Sequence, residues 1–288
     1  MSALFVFGLG YSAGFLAHRL AAQGWRIAGT SREGGRGRDG MALHRFTRGV
    51  PLADAAAALA GATHLLLSIP PDAAGDPVLA EHAADIARLP GLRWLGYLST
   101  TGVYGDRGGG WVDETAALQP AGERGRRRVA AERGWLELGR AHRLPVHLFR
   151  LAGIYGPGRS ALDAVRAGRA QRVDKPGQVF SRIHVADLVA VLRASMAAPN
   201  PGAVYNLADD DPAPPEAVIA YAATLLGVAP PPLVPFEKAQ LSVMAKSFYD
   251  DNKRVANRRI KEALGVRLRY PSYCDGLDAL SGQGFRGC

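Results

Sequence analysis

The sequence is short of cysteine, of long apolar runs and of acidic residues. Cys274 and Cys288 are its two cysteines, and both stand near the C-terminus. A disulfide framework is therefore not expected. No apolar stretch approaches the length that crosses a bilayer, so no membrane span and no membrane partner are expected. The opening residues lack a basic start and their apolar run is broken by glycine, which is not the pattern of a secretory leader. These absences predict a soluble, cytoplasmic chain. Acids number 26 against 35 lysines and arginines, a formal net charge of +9. Most of the excess is arginine scattered along the chain, with one cluster at Arg124, Arg126, Arg127 and Arg128. No helix-turn-helix, zinc or RNA-binding signature surrounds that cluster, so nucleic acid is not an expected partner and no metal ligands are assigned. A solvated basic face or an anionic ligand, such as a phosphate-rich cofactor, accounts for the charge.

What the chain does contain is ample apolar material, 48% of 288 residues, enough for one large α/β domain or a domain with a smaller lobe. Ala3-Leu4-Phe5-Val6-Phe7 reads as a buried strand. Gly8-Leu9-Gly10-Tyr11-Ser12-Ala13 follows at once, and Ala13, Leu16, Ala17 and Leu20 then recur at helical spacing. Strand, glycine turn and helix form the setting of a dinucleotide fingerprint. Gly8 permits the tight turn, Gly10 lets backbone approach a pyrophosphate, and Ala13 is small enough for close packing of helix on sheet. The helix start, at Tyr11 and Ser12, offers free N–H groups and a partial positive charge to phosphates.

Trp25 to Gly29 reads as the second strand. Selectivity for NAD would place an acid at its end, to hold the ribose hydroxyls. Thr30-Ser31-Arg32 stands there instead, and two hydroxyls beside a guanidinium suit the 2′-phosphate of NADP. Glu33 next door keeps NAD open. Gly34 to Gly40 reads as a loop, Ala42 to Phe46 as a strand, Leu52 to Ala60 as a helix and His64 to Ser68 as a strand. Ser68, Ile69 and Pro70 then leave the sheet where a doubly wound fold holds its cofactor. Asp76-Pro77 starts a helix that runs to about Leu89.

Trp94 to Ser99 is the next strand, and it runs into Ser99-Thr100-Thr101-Gly102-Val103-Tyr104-Gly105. Taken with the glycine turn, this resembles the extended short-chain dehydrogenase/reductase superfamily, the NAD-dependent epimerase/dehydratases. Leu151-Ala152-Gly153-Ile154-Tyr155-Gly156-Pro157-Gly158 after Arg150 resembles its Ile-Tyr-Gly-Pro-Gly element. Arg182-Ile183-His184-Val185-Ala186-Asp187 resembles its His-Val-x-Asp element, and Tyr205-Asn206-Leu207 its Tyr-Asn-Val strand. Asn252-Lys253-Arg254, followed by Leu264-Gly265, is similar to its closing helix. The resemblance implies a Rossmann doubly wound parallel sheet with a small C-terminal substrate lobe. Its boundaries are expected as residues 1–154 for the cofactor domain and 155–288 for the lobe, with 180–208 returning to the sheet. Asp209 to Pro215 and Pro230 to Pro235 read as loops. A small-molecule substrate is implied, a nucleotide sugar or a related polar metabolite, and a homodimer is among the assemblies such proteins form.

The resemblance also implies a strand-end hydroxyl and a Tyr-x-x-x-Lys pair as the groups that handle the substrate's oxygen and proton. Thr100 falls on the hydroxyl position, with Ser99 on the cofactor side and Thr101 toward the substrate. Counting back from Ala130-Ala131-Glu132, Arg128 stands where lysine belongs and Arg124 where tyrosine belongs, and no tyrosine lies between Asp106 and Leu151. Arginine stays protonated near neutrality and cannot exchange the proton. Arg128 is expected to hydrogen-bond the cofactor ribose as a fixed cation, and Arg124, one turn away, to meet an anionic group on the substrate. Tyr104, Tyr155 and His184 remain as candidates to move a proton or shape the substrate pocket. Trp111 to Glu114, after three glycines, is expected either to cover the site or to serve as a capped loop.

Overall fold

The structure, a computed structural model, describes residues 2–37 and 40–282. Cys288 and part of the Gly34–Gly40 loop lie outside them. The chain begins with β1 (Ala3–Phe7), α1 (Tyr11–Ala21), β2 (Arg26–Ser31), β3 (Gly35–Arg36) and β4 (Ala42–Arg45). It continues through α2 (Ala55–Leu59), β5 (His64–Leu67), α3 (Pro77–Ala87), β6 (Trp94–Thr100), β7 (Trp111–Val112) and α4 (Glu123–His142). Next come β8 (Val146–Leu151), β9 (Gly153–Tyr155), α5 (Ala161–Arg166), β10 (Arg172–Asp174), β11 (Arg182–His184) and α6 (Val185–Ala197). The last elements are β12 (Val204–Leu207), α7 (Pro215–Leu225), β13 (Leu233–Pro235), α8 (Val243–Phe248), β14 (Arg254–Val255), α9 (Arg258–Leu264) and α10 (Tyr273–Ser281). Two compact units share these elements. Unit 1 comprises Met1–Val103, Glu123–Arg150 and Val189–Tyr205; unit 2 comprises Tyr104–Gly122, Leu151–Leu188 and Asn206–Cys288.

Among the described residues, eight strands form one sheet in the order β12-β8-β6-β5-β1-β2-β4-β3. β1 pairs in parallel with both β2 and β5, so the winding reverses beside β1. In such sheets the crevice outside the strand ends at the reversal is where ligands sit. All five residues of β1 are buried, as are all four of β5, because helices cover both faces. Phe5, Phe7, Leu65, Leu67, Leu95 and Tyr97 alternate onto one face, where Leu59, Val78, Ile86 and Trp135 from α2, α3 and α4 pack against them. On α1 the buried positions are Ser12, Ala13, Leu16, Ala17 and Leu20, the helical spacing read from sequence.

Asp76 starts α3 as expected: its carboxylate accepts from the N–H groups of Val78 and Leu79 at 2.9 and 3.0 Å. It also accepts from the Trp135 indole at 3.2 Å, and burial raises its pKa. Three expectations are corrected. The glycine-rich loop contains β3, which turns back antiparallel onto β4. The proline-rich stretch before Pro235 contains β13, paired with β10 in unit 2. Asn252-Lys253-Arg254 is not helical: Arg254 opens β14, paired with β7, and the helix starts at Arg258.

Candidate functional site

In unit 1 the glycine turn is built as a cradle. Gly8 has φ +86°, the left-handed region, and a Cβ there would lie 2.7 Å from Ile69 Cγ1. The turn is fastened by Thr30, whose hydroxyl oxygen accepts from Gly8 N–H at 2.8 Å while its carbonyl accepts from Leu9 N–H at 2.9 Å. Gly10 caps α1 with no side-chain hydrogen bond, no acid occupies the first turn, and a Cβ on Gly10 would meet nothing within 4 Å. A helix start with no side-chain cap and no acid, beside a glycine that leaves room for a ligand, is the arrangement that receives a phosphate. A dinucleotide fits this cradle. Tyr11 and Ser12 form the helix start, Ser12 buried and Tyr11 ringed against Phe15 at 5.1 Å. Ser68 follows β5, its N–H bonded to Phe7 O at 2.9 Å, and Ile69 and Pro70 continue beside Gly8.

The end of β2 corrects one reading. Thr30 is 1% exposed and its hydroxyl is spent on Gly8, so it offers nothing to a phosphate. Ser31 and Arg32 remain available at the surface, Arg32 exposed and Ser31 partly so. Ser31 Oγ accepts from Gly34 N–H at 2.9 Å. Register places Arg45 of β4 directly across from Ser31, and Arg45 is exposed as well. Sequence reasoning missed Arg45. Its signal was a basic residue at the end of the strand after β2, legible only once the two strands are known to pair.

At the end of β6 the two neighbouring hydroxyls part ways. Ser99 is 3% exposed and donates to Glu132 Oε1 at 2.5 Å. Glu132 in turn holds Arg150, Nη2 to Oε2 at 2.8 Å and Nε to Oε1 at 3.1 Å, with both side chains buried. Ser99 is thus the upper member of an internal ion-pair network, and its hydroxyl is not turned to a cofactor. Thr100 is partly exposed, and its Oγ1 accepts from Gly102 N–H at 3.2 Å, which leaves its proton to donate. Thr101 is also partly exposed. Arg128, on α4, donates to Leu98 O at 2.5 Å and to Tyr97 Oη at 3.1 Å. Its guanidinium carbon lies 5.5 Å from the Tyr97 ring centroid. One turn earlier, Arg124 is exposed.

In unit 2 the three candidate proton carriers are buried. Tyr104 donates to Asn206 Oδ1 at 2.6 Å and is fully enclosed. Tyr155 donates to Ser272 O at 3.2 Å, and burial raises the pKa of its phenol. His184 stacks edge-on to Tyr155 at 5.1 Å and lies 4.1 Å from the Tyr270 ring. Its Nδ1 accepts from Ala186 N–H at 3.1 Å, so the proton sits on Nε2. Burial, helped by Arg269, lowers its pKa to about 4, and the ring is neutral at pH 7. Asp187 fixes the neighbouring loop by accepting from the N–H groups of Arg269 and Tyr270 at 2.7 and 3.0 Å. Trp111 to Glu114 is a paired and capped segment: β7 joins β14, Asp113 accepts from Thr115, and Glu114 accepts from Asn206 N–H at 2.8 Å. One buried acid escaped the sequence reading. Asp209 is 1% exposed and neither of its oxygens meets a donor; burial raises its pKa well above the usual range.

Residues 5–208 match the sequence model of the NAD dependent epimerase/dehydratase family. The chain belongs to that family.

 

A solved structure described as a functionally unknown conserved protein from Silicibacter pomeroyi DSS is 53% identical, with a TM-score of 0.87 over 98% of this chain and 99% of that one. Protein YeeZ of Escherichia coli (strain K12) is 29% identical over 288 residues, 94% of this chain and 97% of its own length. A 3-diazoavenalumate denitrifying reductase from Streptomyces sp is 29% identical over 214 residues, 68% of this chain and 67% of that protein. The fold is shared with MoeE5 in complex with UDP-glucuronic acid and NAD, at a TM-score of 0.80 and 18% identity over 98% of each chain. The family is described as NAD dependent, and the chain shares its fold with that NAD-bound neighbour. Arginines stand at 124 and 128, the positions where the sequence reading looked for tyrosine and lysine.

Proposed function

We propose that the protein is an NADP(H)-preferring oxidoreductase or epimerase/dehydratase acting on a small polar metabolite such as a nucleotide sugar. The observation that carries this reading is the open cradle at Gly8 and Gly10, fastened by Thr30, with Ser31, Arg32 and Arg45 at the end of the adjoining strands. Arg32 and Arg45 would hold a 2′-phosphate through charge-assisted bonds, and Ser31 would add a hydroxyl. When bound, NADP(H) supplies or accepts a hydride. Thr100 would donate a hydrogen bond to a substrate oxygen, since its Oγ1 already accepts from Gly102. Arg128, held by Leu98 O and Tyr97, contributes a fixed positive charge and orients rather than exchanges a proton. The reductase relative from Streptomyces sp supports the oxidoreductase branch, and the fold neighbours solved with UDP-sugars and NAD support the nucleotide-sugar class.

A second reading is a protein that binds NADP(H) and reports its state to a partner without turnover. The burial of Tyr104, Tyr155 and His184 favours it, because none of these groups is placed at a surface where it would exchange a proton with a small molecule. Calorimetric titration with NADP, NADPH, NAD and NADH tests what both readings share. NADP(H) is expected to bind at least about tenfold tighter than NAD(H), about 1.4 kcal/mol. Failure of all four nucleotides to bind would overturn both readings. Turnover that Thr100→Ala abolishes while nucleotide affinity is kept selects the enzyme. Turnover that appears only in Arg124→Tyr with Arg128→Lys selects the reporter.

A further inference from the structure

Unit 2 contains a cavity of about 620 Å³ whose lining combines three arginines with apolar side chains. Arg159, Arg169 and Arg182 reach it from three separate segments, against a single acid, Asp163. That acid is already engaged: its Oδ2 accepts from the N–H and hydroxyl of Ser160 at 2.9 and 2.6 Å, closing the capping box of α5. Arg182 is the deepest of the three cations. Its Nη1 donates to Phe180 O at 2.8 Å and to Ala213 O at 3.1 Å, which fixes the plane of the guanidinium. Among the described residues, its other nitrogens make no hydrogen bond. Asp209 lies near enough to act on Arg182 electrostatically, yet takes no hydrogen bond from it. A fixed guanidinium with donors to spare at a cavity wall is a fork without its acceptor, and the acceptors that match it are carboxylate and phosphate. The same lining includes Val218, Tyr273 and Leu277, members of the small core between α5, α7 and α10. A cavity of this size suits a small molecule with an apolar body and a few fixed polar contacts.

We infer that this cavity binds an organic anion, with its carboxylate or phosphate on Arg182 between Arg159 and Arg169 and its apolar body against Val218, Tyr273 and Leu277. The inference rests on unit 2 alone and stands apart from the cofactor reading. It is tested by calorimetry on the full chain with three probes of similar shape: benzoate, phenyl phosphate and uncharged benzyl alcohol. At least one anion is expected to bind with millimolar or tighter affinity, and the alcohol at least about tenfold more weakly. Benzoate against phenyl phosphate tells an organic acid site from a phosphate ester site. Arg182→Gln is expected to weaken the preferred anion at least about tenfold. Because that side chain is enclosed, two variants on less buried residues, Arg169→Gln and Ile219→Trp, provide the same test in a chain that keeps its fold. The first removes a cation and the second fills the cavity, and both should weaken the anion while leaving nucleotide affinity unchanged. Binding of the alcohol as tight as that of the anions would overturn the inference. So would anion binding that Arg169→Gln and Ile219→Trp leave untouched, or no anion binding at about 10 mM.

Discussion

Glu132 grips Arg150 with both carboxylate oxygens, at 2.8 Å and 3.1 Å, inside unit 1 and out of reach of water. Ser99 supplies a further hydrogen bond to the same carboxylate at 2.5 Å. Removing one partner of such a pair leaves the other charge buried without compensation. Glu132→Ala is therefore expected to cost about 3–5 kcal/mol, read as a lower urea midpoint with an unchanged slope. Ser99→Ala removes one hydrogen bond and leaves the ion pair, so its cost is expected near 1.5–3 kcal/mol, roughly that of one bond to a charged group.

The two glycines of the cradle separate folding from binding. Gly8→Ala meets both a positive φ of 86° and an Ile69 side chain 2.7 Å from the new carbon. It is expected to lose stability by about 1–2 kcal/mol or more. Adding Ile69→Ala relieves the side-chain contact but not the backbone strain, so recovery is partial. Gly10 has φ −92° and open space above it, so Gly10→Ala should stay within about 1 kcal/mol of wild type, the scale of an N-cap change. Its methyl group would nonetheless stand where phosphate oxygens approach the helix. NADPH affinity, measured by calorimetry, is expected to fall in both variants and the melting temperature chiefly in the first.

Arg32 and Arg45 flank Ser31 at the surface. Alanine at either position should lower affinity for NADP(H) and leave affinity for NAD(H) unchanged, because only the former carries the additional phosphate. The combined variant is expected to lose the preference altogether. Since both side chains are solvated, the wild-type preference should also shrink as salt is raised. Equal losses for NADP(H) and NAD(H) would place these arginines elsewhere on the ligand.

Two histidines make stability depend on pH. His64 and His184 are each held neutral, with pKa values lowered to about 4, in both cases chiefly by burial and then by a neighbouring arginine. Below the ordinary value of 6.5 the unfolded chain takes up protons that the folded chain refuses. Their contribution is thus complete above about pH 6.5 and is lost as pH falls toward 4. Asp209, whose pKa is raised by burial, acts with the opposite sign, so the effect is isolated by comparing variants. His184→Gln should flatten the fall in urea midpoint between pH 6.5 and 4, and a profile identical to wild type would show that the ring titrates normally.

Much of the fold was legible because local and tertiary demands coincide. β1, the glycine turn and α1 follow one another within twenty residues, and each is specified by side chains it contains: branched and aromatic residues, two glycines, and apolar spacing on one helical face. Asp76-Pro77 marked its own helix start for the same reason. The errors fell where pairing overrides composition. A glycine-rich stretch became β3 because β4 offers it an edge, and a proline-rich stretch became β13 because β10 does. Neither partner is visible from the strand's own residues.

The candidate site divides along the same line. By itself, the sequence determined that a glycine turn opens the chain, that Arg124 and Arg128 stand four residues apart with no tyrosine between Asp106 and Leu151, and that no acid ends the second strand. These are statements about which groups exist, and residue identity is sufficient to make them. Only the tertiary structure decided where the groups point. Thr30 and Ser99 carry the same chemistry as Ser31 and Thr100 beside them, but alternation along a strand sends neighbouring side chains to opposite faces. One of each pair is turned inward, to Gly8 N–H and to Glu132, while its neighbour is left partly exposed. The convergence of Arg159, Arg169 and Arg182 on one cavity is likewise a product of folding, because three segments distant in sequence meet there.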